Sequence, residues 1–188
     1  MLQSVTDPRW LPAAVSDPDR LLGDLAHAEK KAAAQALSLV SADAGRARLV
    51  RQLSSLAIEE LGHFQRVHAE ILRRGGALGP DPGDPYVQTL RREIRHGSPE
   101  RSIDRLLVAG LIEARSHERL SLLAESPLDA SLRALFSSLA RAEAGHARIF
   151  VELAAGMPGP TGVRERLTQL ALREAEILAA LPLEPRIH

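Results

Sequence analysis

Two short motifs in this 188-residue sequence have the spacing of metal ligands. Glu60 and His63, and again Glu143 and His146, are three residues apart, so on an α-helix each pair shares one face and can reach one ion. Both pairs fall on apolar stripes of heptad spacing: Leu53, Leu56, Glu60, His63, Val67 in one case and Leu139, Glu143, His146, Phe150 in the other. Two further stripes carry a single carboxylate each, Glu29 after Leu22 and Leu25, and Glu113 after Ile103 and Leu106. A Glu where a core Leu belongs is costly unless it is partnered. Four such carboxylates meeting in one core would repel one another by roughly 4 kcal/mol per pair at 4 Å and an effective dielectric of 20. Two divalent cations would cancel that repulsion, which makes Glu29, Glu60, His63, Glu113, Glu143 and His146 the candidate ligands.

One Glu from each of two helices plus Glu-x-x-His from two others is the ligand set of ferritin-like di-iron and di-manganese bundles. An oxygen-rich set with one imidazole per metal suits two iron ions, with manganese or zinc able to substitute. The pattern also repeats: Glu29 precedes Glu60 by 31 residues and Glu113 precedes Glu143 by 30, as in a doubled helical hairpin. A third pair, Glu93 and His96, lies in an Arg-rich stretch without a leucine stripe and reads as solvated surface. His117 follows Glu113 by four residues; it reads as a packed histidine bonded to a carbonyl, with a supporting role beside the metals as the alternative. Glu59 is a candidate acceptor for a ligand imidazole, although a solvated position suits it better. Glu118 reads as an ion-pair partner of Arg115 or Arg119. His27, His68 and His188 lie off the stripes or in the tail and receive no chemistry.

The elements that must position these residues are helices. After a loose start containing Pro8, Pro12 and Pro18, apolar periodicity predicts helices over about 19–40 and 46–74, the second stopped by Gly75 and Gly76. The stretch GALGPDPGDP is a loop. A short segment over about 86–96 follows, and Ser98–Pro99 and Ser126–Pro127 read as caps opening long helices to about Ala124 and Ala155. GMPGPTG breaks the chain before a last helix at about 161–181. The expected architecture is all-α: one domain over 1–188, with a four-helix bundle at about 19–155, an additional short helix and a C-terminal helix.

Composition agrees and excludes much. Apolar residues make up 45% of the chain but aromatics only 3%, a profile of Leu/Ala-rich helices rather than sheets. With no cysteine there is no disulfide, iron–sulfur cluster, zinc finger or cysteine nucleophile. The 24 basic residues balance 24 acidic ones, so a polyanion would have to be met by a local patch. No apolar run is long enough for a membrane span, and the polar N-terminus does not read as a signal peptide; a cytoplasmic location is expected.

The segments HAEKKAAAQALSL, LAIEELGHF, VAGLIEARSHERL and ARAEAGH, in this order and spacing over about 21–153, resemble the MiaE family. The resemblance implies a ferritin-like di-iron tRNA hydroxylase acting on the prenyl group of 2-methylthio-N6-isopentenyladenosine next to the anticodon. It places the family's metal ligands on the same six residues reached from spacing. His117 stands where the family commonly has Cys, and Gly62 and Gly145 where it has bulkier residues. The implied reaction uses O2 to hydroxylate an allylic carbon. Because no flavin, nicotinamide or iron–sulfur motif is visible, a separate electron-donating reductase is expected as a partner.

All but two of the basic residues are Arg, and Arg91, Arg92 and Arg95, near Tyr86 and followed by Arg101 and Arg105, are the candidate contacts to tRNA. The rival functions are a ferroxidase or peroxidase-type di-iron protein and a non-catalytic helical metal-binding module. A rubrerythrin is disfavoured by the missing Cys-x-x-Cys. A monomer or small oligomer is expected.

Overall fold

In the computed structural model, which describes residues 1–158 and 162–188, all regular structure among the described residues is helical. The elements are α1 (Trp10–Val15), α2 (Pro18–Ala42), α3 (Ala47–Arg73), α4 (Pro85–Arg91), α5 (Glu100–Ala124), α6 (Ala130–Ala155) and α7 (Val163–Ala180). Helix α2 packs along α3 and α5 along α6, giving two long hairpins that face each other. Part of the expected break at GMPGPTG, residues 159–161, lies outside the described residues.

Aspartates open three of the helices. Asp17, Asp84 and Asp129 accept hydrogen bonds from the backbone N–H groups of Arg20, Val87 and Leu132, and the first two are followed by proline in the first turn. The serine caps expected from Ser-Pro do not form. Ser126 instead donates to the carbonyl of Leu123, so it finishes α5 rather than starting α6. Pro99 itself occupies the cap position of α5, with Glu100 supplying negative charge to the first turn. Helix α4 is shorter than expected. It ends at Arg91 because Asp104 draws both the backbone N–H and the guanidinium of Arg95 out of helical register.

The apolar core comes in two clusters. One gathers Leu39, Leu53, Leu56, Leu106, Phe150 and Leu153 with α4 and α7 at one end of the bundle. The other gathers Trp10, Leu22, Leu25, Val67, Leu120 and Phe136 at the opposite end. Fully burying one such large side chain is worth roughly 1.5–3 kcal/mol. Between the clusters, at mid-height on all four long helices, lie the six Glu and His residues singled out by spacing.

Helix α1 and the tail after α7 were not expected to be ordered against the bundle. The proline-rich start conceals one helical turn, and its Trp10 is 1% exposed. The Trp10 indole donates to the carbonyl of Arg186 at 3.1 Å, and the Arg119 guanidinium sits 4.6 Å above its ring. These contacts fasten the two ends of the described chain to each other.

Candidate metal centre

Helices α3 and α6 each turn a Glu-x-x-His face inward, and α2 and α5 each present one Glu at the same level. All six side chains are buried, with exposures of 0–6%. Their ligand atoms form two overlapping groups in which every atom lies within 4.8 Å of the others. One is Glu29, Glu60, His63 and Glu143; the other is Glu60, Glu113, Glu143 and His146. Glu60 and Glu143 belong to both groups, so each could reach two ions, while Glu29 and Glu113 each belong to one. His63 Nδ1 lies 3.4 Å from Glu29, 3.3 Å from Glu60 and 3.8 Å from Glu143. His146 Nδ1 lies 3.4 Å from Glu143 and 2.7 Å from Glu60.

The last of these distances carries information beyond proximity. Although His146 Nδ1 and Glu60 Oε1 are so close, neither has a hydrogen-bond partner of acceptable geometry, and Glu143 Oε2 is likewise unpartnered. Buried polar atoms are otherwise nearly always satisfied. Donor atoms that crowd together without bonding one another, all aimed at one interior point, are what a coordinated cation requires. The residues present therefore fit a pair of metal ions.

Charge makes the same point. Burial, above all, pushes the Glu113 carboxyl well above its ordinary range, and neighbouring Glu143 adds to this. Burial likewise raises Glu29 to about 8 and Glu143 to about 7. Burial would raise Glu60 too, but His146 and His63 override it and hold that carboxyl at about 2. Burial opposes charging of the imidazoles; the surrounding carboxylates nonetheless raise His63 to about 9 and His146 to about 12. In the absence of metal the cluster thus retains protons that a cation would displace.

The other sequence-derived candidates separate clearly. His117 lies outside both groups, its Nδ1 2.7 Å from the carbonyl of Ala140 on α6. Glu59 is mostly exposed, yet its Oε2 comes within 3.3 Å of His146 Nε2. Glu118 pairs with Arg115. Arg95 is committed to Asp104 at 2.8 Å, whereas Arg91 and Arg92 are exposed and make no ion pair among the described residues. Arg91 is at the edge of a cleft of ≈ 280 Å³ between α2, α4 and α5. Ala28, Ala32, Ala109, Ile112 and Phe150 give the cleft an apolar wall, and Glu113 reaches it from the metal-ligand layer.

Small residues near the ligands divide into two uses. Ala109 opens the cleft. Gly110 instead serves close packing: a Cβ there would meet the Ala147 carbonyl and Phe150 on α6 at 3.3 Å.

Sequence reasoning missed a buried polar network beside this site. Arg115 and Glu174, both fully buried, pair at 2.9 Å, and the Tyr86 hydroxyl donates to Glu174 at 3.0 Å. His188, assigned nothing from sequence, stacks on Tyr86 with ring centroids 5.0 Å apart. Its Nδ1 is 3.1 Å from Asp84 and its Nε2 2.9 Å from the Ser116 hydroxyl, and it also lines the cleft. The one available signal was Tyr86, the single tyrosine of the chain.

Known proteins resemble this chain in sequence and fold. The family described as tRNA-(MS[2]IO[6]A)-hydroxylase (MiaE) matches residues 1–188. A tRNA 2-(methylsulfanyl)-N(6)-isopentenyladenosine(37) hydroxylase of Pseudomonas putida is 33% identical over 183 residues, covering 97% of this chain and 89% of that protein. The enzyme of the same name from Salmonella typhimurium is 29% identical over 141 residues, 75% of this chain and 52% of that one. Among solved structures, a Synechococcus protein described as having aldehyde deformylating oxygenase activity superposes with a TM-score of 0.94 at 42% identity, over 100% of this chain and 94% of its own. Matched from its first residue to its last, and ferritin-like in fold, the chain belongs to the MiaE family.

Proposed function

We propose that this chain is an O2-dependent di-iron monooxygenase that hydroxylates the isopentenyl group of a modified adenosine in tRNA. The observation that carries the proposal is the pair of four-ligand groups sharing Glu60 and Glu143 at the inner end of an apolar cleft. The iron pair, when bound, would supply the activation of O2 needed to hydroxylate an allylic carbon. The protein's own residues do the rest. Glu29, Glu60, His63, Glu113, Glu143 and His146, all carried on long helices, would hold the ions. Ala28, Ala32, Ala109 and Ile112 give the cleft an apolar wall that accepts a branched hydrocarbon. Electrons come from a separate reductase, since the sequence offers no carrier of its own. A cytoplasmic location follows from a tRNA substrate; no helix among the described residues is long and apolar enough to cross a membrane.

Nucleoside analysis of bulk tRNA from cells with and without this protein tests the substrate. Hydroxylated prenyl-adenosine should vanish with the gene, and its persistence at unchanged level would remove the assignment. A second reading draws on the 42% identity to the Synechococcus protein: oxidation of an apolar aldehyde in the same cleft. Turnover of a medium-chain aldehyde by iron-loaded protein, with none of prenylated tRNA, would favour that reading.

A further inference from the structure

The arginines at the edge of the cleft differ in how they are held. Arg95 and Arg166 converge on Asp104, and Arg173 pairs with Glu93, so these three are structural. Arg91, Arg101 and Arg105 have no carboxylate partner among the described residues; Arg105 only donates to the Ser38 hydroxyl at 2.9 Å. Arg91 and Arg105 both line the cleft, one from the end of α4 and one from the first turns of α5. Burial holds the Arg105 guanidinium below its usual range, the like charges of Arg101 and Arg91 push the same way, and Asp43 opposes them. Two arginines without a carboxylate partner in the cleft wall, with Arg101 close enough to add its repulsion to Arg105, are an arrangement that an anion would relieve. Of the cleft's other charged groups, Lys31 is paired with Asp81 and Asp84 lies against His188.

Their distance from the metal ligands selects the anion. Arg105, Ala109 and Glu113 lie four residues apart on one face of α5, and all three line the cleft. Eight residues of helix separate the backbone positions of Arg105 and Glu113 by about 12 Å. A ligand that fills the cleft therefore combines a hydrocarbon end near Glu113 with a negative group a purine's and a sugar's length away. An N6-prenylated adenosine nucleotide has that layout. Building on the function proposed above, we infer that Arg91, Arg101 and Arg105 form a phosphate subsite that fixes the depth to which the prenyl group enters. The phosphate is either the substrate nucleotide's own or that of an adjoining RNA linkage.

The test uses iron-loaded protein and its R91A/R105Q variant, with R148A, exposed on α6, as control. Binding is measured for N6-isopentenyladenosine, its 5′-monophosphate, and an anticodon stem-loop carrying the same base, across a salt titration. The 5′-monophosphate should bind at least tenfold more tightly than the nucleoside at low salt, and R91A/R105Q should close that gap while leaving nucleoside binding unchanged. For the stem-loop, the double substitution should reduce the salt slope by about one per arginine removed. Equal binding of nucleoside and monophosphate, with the stem-loop still dependent on the arginines, assigns the subsite to an adjoining linkage. Stem-loop and monophosphate binding that R91A/R105Q leaves unaltered, or nucleoside binding that falls equally, overturns the subsite. Hydroxylation of the stem-loop is followed separately. Arginine-dependent binding without turnover would keep the subsite and discard the reaction, and normal turnover with arginine-independent binding would do the reverse.

Discussion

Replacing Glu113 by Gln separates the cost of the metal-ligand layer from its use. The side chain is buried, and its carboxyl already favours the neutral form in the metal-free protein, so an isosteric amide removes little that metal-free folding depends on. The sign of the pH dependence follows from the raised carboxyl. Its contribution to stability is complete below the ordinary value of 4.5 and is lost as pH rises toward the folded-state value. Metal-free E113Q should therefore match wild type to within about 1 kcal/mol at mildly acidic pH and become the more stable of the two as pH increases. Metal reverses the ranking. An ion held at a thousand times its dissociation constant stabilises by about 4 kcal/mol, so two ions give wild type about 8 and one ion leaves the variant about 4. For a chain of this size 1 kcal/mol moves Tm by roughly 2–4 °C, so the shift on adding ferrous ion anaerobically should be about 8–16 °C smaller in E113Q. Calorimetry with and without metal, paired with metal analysis, reads both effects. Two tightly bound metals and an undiminished shift in E113Q, or a metal-free variant destabilised by more than about 3 kcal/mol, would refute the assignment of Glu113 as a metal ligand.

Glu174→Leu should cost about 1–3 kcal/mol in urea unfolding, because it leaves the buried Tyr86 hydroxyl and two Arg115 N–H groups without their acceptor while Arg115 keeps Glu118. Gly62→Ala and Gly145→Ala should each stabilise by up to about 1 kcal/mol in thermal unfolding, since both sit inside helices and an added Cβ meets nothing within 4 Å. Ala109→Leu should raise KM for the prenylated substrate at least tenfold because it fills the cleft, with metal analysis checking that Glu113, one turn away, still binds. An unaltered KM would show that substrate enters elsewhere.

The metal-ligand layer was legible in the sequence for a specific reason. Helical periodicity fixes which residues share a face, and a Glu in a row of leucines is an anomaly that only a partner explains. Six residues on four helices could thus be read to one level before any tertiary contact was known. A glycine such as Gly110 is ambiguous in sequence, because room for a ligand and room for a neighbouring helix look alike until α6 is in place. What remained hidden depends on long-range closure. Arg115 finds Glu174 59 residues away, and His188 finds Asp84 104 residues away. Neither partner leaves a local signature. The Ser-Pro pairs misled because an Asp a few residues on was the better cap for α6, and Asp104 competed for the chain beyond α4.

The separation of the core into two apolar clusters has a mechanical consequence. Each end of the bundle is clamped by leucine and aromatic packing, while the waist between is bridged by buried polar groups that keep protons where cations would sit. Stripped of metal, the molecule is therefore softest at mid-length, and amide exchange should quicken around Glu29, Glu60, Glu113 and Glu143 while both ends stay protected. Local opening of such a waist would give ions a route in and out that does not require the two packed ends to unfold.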